Sequence, residues 1–257
     1  MTEEPQEEKR TAIKAWPLRI HTLGRFEILS SEITPRKSRK AQQKPLQMLK
    51  ALISFGGRNA TKGGLVDILW PDSEGDTANQ SFATTLHRLR RLLGNKGAIN
   101  LSESLVSLDA DICWLDTWAF ESLVDEAGVE PEGVFDKLEK AVSIYRGHFL
   151  PADDGEPWTA STRERLRSKF LRSVEKLCYL YEKRGEIDKA VDCYQSALEV
   201  DDLSERLYRN LMSCHNKLGQ KADAVSVYNR CCRIFSAALG VGPSEETEAV
   251  YRAIVSE

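Results

Sequence analysis

Residues 65–94 read LVDILWPDSEGDTANQSFATTLHRLRRLLG, the pattern of a short helix, a turn and a long second helix. In the long helix Phe82, Leu86, Leu89 and Leu93 recur at helical spacing and give one buried face. Gln80, Ser81, Thr84, Thr85, Arg88 and Arg91 lie on or beside the other face. Small polar residues interleaved with arginines suit a helix that enters a DNA major groove. The arginines hold phosphates or guanine edges, and the short side chains permit close approach. Arg88 is expected squarely opposite the leucine stripe, with Arg91 next to it.

The flanking residues extend this reading. Leu18 to Leu29 (LRIHTLGRFEIL) alternates around Gly24, as two short strands joined by a turn or bulge would. Residues 34–44, TPRKSRKAQQK, carry Arg36, Lys37, Arg39, Lys40 and Lys44 without an acid. That run is either a solvated loop and helix start or a segment that holds phosphates. Pro45 to Phe55 reads as a helix with Leu46, Leu49, Leu52 and Ile53 buried, stopped by Gly56-Gly57. Thr61 is placed to cap the next short helix, Asp76 or Thr77 to cap the long basic one, and Gly94 to end it. Ile99 to Asp109 forms a hairpin with Ser102-Glu103-Ser104 at its tip. Strands, three helices and a closing hairpin are the parts of a winged helix, expected over residues 18–110 behind a flexible polar tail at 1–17.

From about Asp116 onward the pattern is helical and contains an internal repeat. Residues 185–190 (GEIDKA) recur as 219–224 (GQKADA), Tyr194 as Tyr228 and Leu177 as Leu211, all offset by 34 residues. That period with Ala-x3-aromatic is the tetratricopeptide signature, in which the small alanine lets paired helices approach. Ala141-x3-Tyr145 is a third, irregular copy, set apart by the loop at 150–158. The usual proline is replaced by Asp202, so the repeat is degenerate. A single such unit cannot bury its own apolar face, which makes a stack of helix pairs the expected architecture over 111–257.

Composition supports the division. The net charge is −3, but residues 1–110 hold 17 Lys/Arg against 12 Asp/Glu, and residues 111–257 hold 19 against 27. A basic half suits a polyanion, whereas the acidic half is repelled by one and suits a protein partner. No apolar run approaches the roughly 20 residues of a membrane span and no signal peptide opens the chain, so a cytoplasmic protein is expected. The six cysteines form no CxxC and the four histidines are scattered, which argues against zinc. No phosphate-binding GxxxxGK[ST], GxSxG or HExxH occurs. Neither an enzyme activity nor a cofactor is expected. Asp153, Asp154 and Glu156 read as a solvated acidic loop rather than a metal site. Trp114, Trp118 and Trp158 read as packing at the junction rather than a ligand pocket, and Cys231-Cys232 as structural rather than redox-sensing.

Several segments together resemble the Streptomyces antibiotic regulatory protein family: LWPD at 69–72, ANQSFATTLHRLRRLLG at 78–94, LDTWAFESLV at 115–124, AVSIYRGHFL at 141–150, the repeat copies, and LGVGPSEETEAVYRAI at 239–254. The resemblance implies an OmpR/PhoB-type winged helix followed by a bacterial transcriptional activator domain of tetratricopeptide-like helices. It places a recognition helix at about 77–93 and matches Thr84, Thr85, Arg88 and Arg90 to positions used toward bases or phosphates. Asn79 and Ser81 sit near that helix's N-terminus, where its dipole also favours phosphate. The wing tip departs from the family pattern, because Glu103 stands where an arginine often enters the minor groove. The implied role is a sequence-specific transcriptional regulator and activator on double-stranded DNA. RNA polymerase, or a second protomer of a homodimer on tandem sites, is the implied protein partner. The competing readings are a protein-interaction adaptor and the output part of a longer sensor-regulator.

Overall fold

The protein is described from a computed structural model that covers residues 16–30, 39–73, 75–129 and 133–256, with the side chains of 39–41 outside that description. The first part runs β1 (Leu18–His21), β2 (Glu27–Ser30), α1 (Arg39–Ser54), β3 (Ala60–Thr61), α2 (Lys62–Leu69), α3 (Gly75–Leu92), β4 (Ile99–Ser102), β5 (Leu105–Leu108) and β6 (Cys113–Leu115). Helices follow: α4 (Asp116–Val129), α5 (Val134–Ile144), α6 (Pro157–Lys183), α7 (Ile187–Val200), α8 (Glu205–Lys217), α9 (Lys221–Leu239) and α10 (Glu245–Ser256). The architecture is thus a small sheet-containing N-terminal region followed by a helical C-terminal part.

Two three-stranded sheets frame α1, α2 and α3. β2 pairs antiparallel with β1, and β6 joins the other edge of β1 in parallel. The second sheet has the order β3-β5-β4. Met48, Leu49, Leu52 and Ile53 of α1 are buried against Phe82, Leu86 and Leu89 of α3. Thr61 caps α2, its hydroxyl accepting the Gly64 N–H at 3.2 Å. Two expected boundaries move. α1 begins at Arg39 rather than Pro45, so the proline lies inside the helix. α3 begins at Gly75, ahead of the expected caps Asp76 and Thr77.

The hairpin tip is tighter than expected. Ser102 still pairs with Leu105, and the turn is made by Glu103 (φ 50°) and Ser104 (φ 70°) alone. A two-residue turn of type I′ needs positive φ at both centres, usually supplied by Asn-Gly. Here two residues with side chains adopt it.

The helical part stacks in sequence, α4 on α5, α6 on α7, α7 on α8 and α8 on α9, with α10 on α8 and α9. Ala141, Ala190 and Ala224, the small residue of each repeat copy, are all buried. Tyr145 and Tyr194 are buried beside them, while Tyr228 is half-buried and stacks on Tyr251 at 4.0 Å.

One hydrophobic core joins the two parts, running from Leu18 through Phe120 and Phe170 to Phe235. Asp116, the first residue of α4, is buried and accepts from the Thr22 N–H (2.6 Å), the Thr22 hydroxyl (2.7 Å), the Leu23 N–H (2.8 Å) and its neighbour Thr117 N–H (2.9 Å). The chain after α5 forms a strap beside β1: Gly24 N–H donates to His148 O, and Leu150 N–H to Thr22 O. A Cβ on Gly147 would stand 2.7 Å from the Gly24 Cα, so this crossing has room only for glycine. Of the expected tail, residues 1–15 lie outside the described residues. Trp16 is tied down, its indole N–H donating to Ala110 O at 2.9 Å.

Candidate nucleic-acid interface

α3 divides into a buried and an open face. Ala78, Phe82, Thr85, Leu86, Leu89 and the following Leu93 are buried, whereas Gln80, Ala83, Thr84, His87, Arg88 and Arg91 are exposed. At about 100° per residue, Gln80, Thr84, His87 and Arg91 run down the middle of the open face. Arg88 lies to one side, above Thr77. The expectation that Arg88 stands squarely opposite the leucines is therefore corrected. Burial of Ala78 and Thr85 widens the apolar arc toward Arg88 and rotates the open face away from it.

Two further sequence expectations change. Thr85 is only 6 % exposed, so it packs inward and cannot touch DNA in this conformation. Arg90 is committed elsewhere: its Nε and Nη2 both donate to Ile99 O, at 3.1 and 2.8 Å. Position 90 falls on the flank of α3 beside the hairpin, and the guanidinium fork fixes the start of β4 to the helix. Arg90 is a brace between helix and hairpin rather than a free cation.

The remaining residues are placed as follows. Asn79 is exposed and its side-chain amide donates to Gly75 O at 3.1 Å. Ser81 is half-buried. Lys44 reaches across to the end of α2, with Nζ 2.7 Å from Leu69 O and 5.6 Å from the Trp70 ring centre. Arg39 and Lys40 belong to the first turn of α1, but their side chains, and Arg36 and Lys37 altogether, lie outside the described residues. His87, which the leucine spacing alone does not single out, stands near the centre of the open face. A helical wheel drawn on all buried positions, not only the leucines, would have found it.

Other sequence candidates are absorbed by structure. Asp153 pairs with Lys50 of α1 at 2.7 Å, and Glu156 accepts from the Trp158 indole at 2.9 Å. Trp118 donates to Gly56 O at 2.7 Å under the Arg58 guanidinium, and Trp114 lies against His21 and Arg19. Cys231 is buried, and desolvation followed by the nearby Glu205 charge pushes its thiol up to about 12, far from a reactive thiolate. No helix among the described residues is long and apolar enough to cross a membrane.

Residues 115–255, more than half of the chain, match the model of the bacterial transcriptional activator domain, and the chain belongs to that family. The relatives it is similar to are regulatory proteins of Streptomyces. It is 27 % identical over 221 residues to the regulatory protein AfsR of Streptomyces griseus, a match covering 81 % of this chain and 22 % of that protein. AfsR of Streptomyces coelicolor is 26 % identical over 213 residues, covering 81 % and 21 %. The chain thus spans about a fifth of the length of these curated relatives. Among solved structures it is similar to Mycobacterium tuberculosis EmbR in complex with a low-affinity phosphopeptide. The TM-score is 0.62 at 17 % identity, over 93 % of this chain and 65 % of that one. At that identity the likeness concerns the fold.

Proposed function

We propose that residues 18–110 form a winged helix that reads double-stranded DNA in the major groove with α3, and that the chain thereby activates transcription. The observation that carries the reading is the open face of α3. Gln80, Thr84, His87, Arg88 and Arg91 are exposed together on a helix whose other face is held by Phe82, Leu86 and Leu89. Gln and Arg are the side chains that pair bidentately with adenine and guanine edges. Gln80 and Arg91, on the central stripe, read bases; Arg88, on the flank, meets a phosphate. The basic start of α1 adds backbone contacts, and Glu103 keeps the hairpin tip off the phosphates. The helical part, acidic overall, meets RNA polymerase or a neighbouring protomer on a tandem site.

The test is selection from a random-sequence duplex pool at physiological salt, followed by affinity measurements on the enriched motif. Arg91→Ala is expected to cost about 1–3 kcal/mol on the motif and to relax one base preference. Arg88→Ala is expected to weaken motif and random DNA alike and to reduce the slope of log K against log salt by about 1. No enriched motif, with weak binding that vanishes in salt, would leave only electrostatics and return the helical part to an adaptor role.

A further inference from the structure

The helical half is acidic as a whole, but its charge is unevenly placed. α6 carries seven Lys/Arg against three Asp/Glu, whereas α10 carries three Glu against one Arg. Both helices open onto one face of the stack, with α8 between them. On one side Arg206 of α8 pairs with Glu175 of α6 at 3.0 Å, and Lys217 pairs with Glu182. On the other side Arg209 pairs with Glu246 of α10 at 3.2 Å, Glu205 accepts from Thr247, and Met212 packs against Ile254. Residue numbers rise together across these contacts, so the three helices run parallel.

The face has three strips. The open edge of α6 is basic and aromatic. At about 100° per residue, Arg172, Lys176, Tyr179 and Lys183 fall in one stripe. Tyr179 is 55 % exposed, with the Lys183 ammonium 5.3 Å from its ring centre. The middle strip, on α8, is close to neutral, because Arg206 and Lys217 are paired with α6 and the small Asn210 and Ser213 lie between them. The open edge of α10 is acidic at its start and small further on: Glu245 and Glu246 are exposed, followed by exposed Ala249 and Ala253.

We propose that a second copy of this chain docks on this face, with a two-fold axis running along α8. Rotation about that axis exchanges the two edges and keeps the level along the helices. Each α6 then lies on the partner's α10. Arg172 and Lys176 meet the partner's Glu245 and Glu246, and the Tyr179 ring lies over the partner's Ala249 and Ala253. The two α8 helices meet through Asn210 and Ser213. A two-fold contact must be self-complementary. This axis makes it so, whereas an axis across the helices would set α6 on α6, cation on cation. α6 and α10 stand two helix spacings apart, about 20 Å, and the stripe from Arg172 to Lys183 is about 16 Å long. That is smaller than a standard stable interface, so the dimer is a weak one. The proposal names a surface for the neighbouring-protomer reading above and rests on that reading, not on the contact of α3 with DNA.

The test is sedimentation velocity of the full chain without DNA, at low salt and at protein concentrations up to the high micromolar range. A reversible monomer–dimer equilibrium is expected, weaker in high salt. Arg172→Glu and, separately, the double variant Glu245→Lys/Glu246→Lys are each expected to weaken it at least tenfold with unchanged circular dichroism spectra. Mixing the two variants is expected to restore association to within about threefold of the unvaried chain, because each reversed edge then meets its reversed opposite. Misfolded variants could not do this. A dimer that neither variant weakens, or variants that do not restore one another, overturns this surface and leaves the neighbouring protomer in place. A monomer at every concentration overturns both. A monomer whose hold on a random-sequence duplex is loosened by Arg172→Glu overturns both as well and assigns these cations to DNA.

Discussion

Asp116 carries more of the join between sheet and helices than any other single side chain described. Its two oxygens take four donors, three of them from Thr22 and Leu23 at the end of β1. Burial pushes its carboxyl up and the hydrogen bonds from Leu23 and Thr22 pull it down, with a net rise. A raised carboxyl pKa means that the stabilisation is fullest below the unfolded value and falls as pH rises through the folded one. The four donors leave no acceptor position of the carboxyl unmet. Asparagine has one acceptor oxygen and an amide that donates, so either orientation turns an N–H toward an N–H. Asp116→Asn is expected to cost about 2–4 kcal/mol in urea denaturation at pH 7, whereas an exposed-surface substitution stays within about 0.5 kcal/mol. A loss under about 1 kcal/mol would show that the carboxylate is not the join. Nothing in the sequence marked Asp116 out. Its partners on the sheet are more than 90 residues away, and a buried acid at a helix start reads the same as an ordinary cap.

At the scale of elements, much of α3 was legible because a helix face repeats locally. Phe82, Leu86, Leu89 and Leu93 announce their burial by spacing alone. Thr85 and Arg90 did not, since threonine is at home on either face and arginine's donors depend on what lies beside the flank. The hairpin at Ile99 supplies that neighbour only in three dimensions. The C-terminal helix shows the same limit. α10 docks on α8 through Glu205, whose carboxylate accepts from the Ser244 N–H at 2.9 Å and from the Ser244 and Thr247 hydroxyls at the helix start. Burial opposes ionisation of Glu205, but these bonds outweigh it and hold the carboxyl below its ordinary value. A depressed pKa gives stabilisation that is present above the unfolded value of about 4.3 and is lost as pH falls through the folded one. Glu205→Gln is therefore expected to lower hydrogen-exchange protection across 245–256 about five- to thirtyfold at pH 7. The gap to the unvaried chain should narrow as pH drops below about 4. An equal gap at both ends of that range would assign the effect to packing instead.

For the whole molecule, the division into a basic half and a repeat-bearing acidic half could be read from charge and period, but the continuity between them could not. Charge asymmetry suggests two bodies that meet DNA and protein separately. The fold instead runs β6 into the first sheet beside β1, sets Asp153 against Lys50 of α1, and lets Thr162 of α6 donate to Ser54 O at 2.7 Å. These contacts pair residues roughly 100 positions apart, and no local pattern encodes them. Their consequence is thermodynamic: a core shared from Leu18 to Phe235 cannot lose one half and leave the other's apolar faces covered. Two probes report on different halves. Tryptophans 16, 70, 114, 118 and 158 cluster in the first part and at the junction, while the far-ultraviolet helix signal comes mostly from α5–α10. Urea unfolding followed by tryptophan fluorescence and by circular dichroism at 222 nm is expected to give coincident midpoints, as in a single cooperative unit. A fragment ending at 110 lacks β6 and Asp116, which leaves the outer edge of β1 and the Thr22 and Leu23 donors unpaired, so it should show no such transition. Separate midpoints, or a cooperatively folding 16–110 fragment, would mean that α1, α2 and α3 stand on their own. In that case the helical stack could not act on them through rigid contact, and any signal between the halves would have to pass through partners instead.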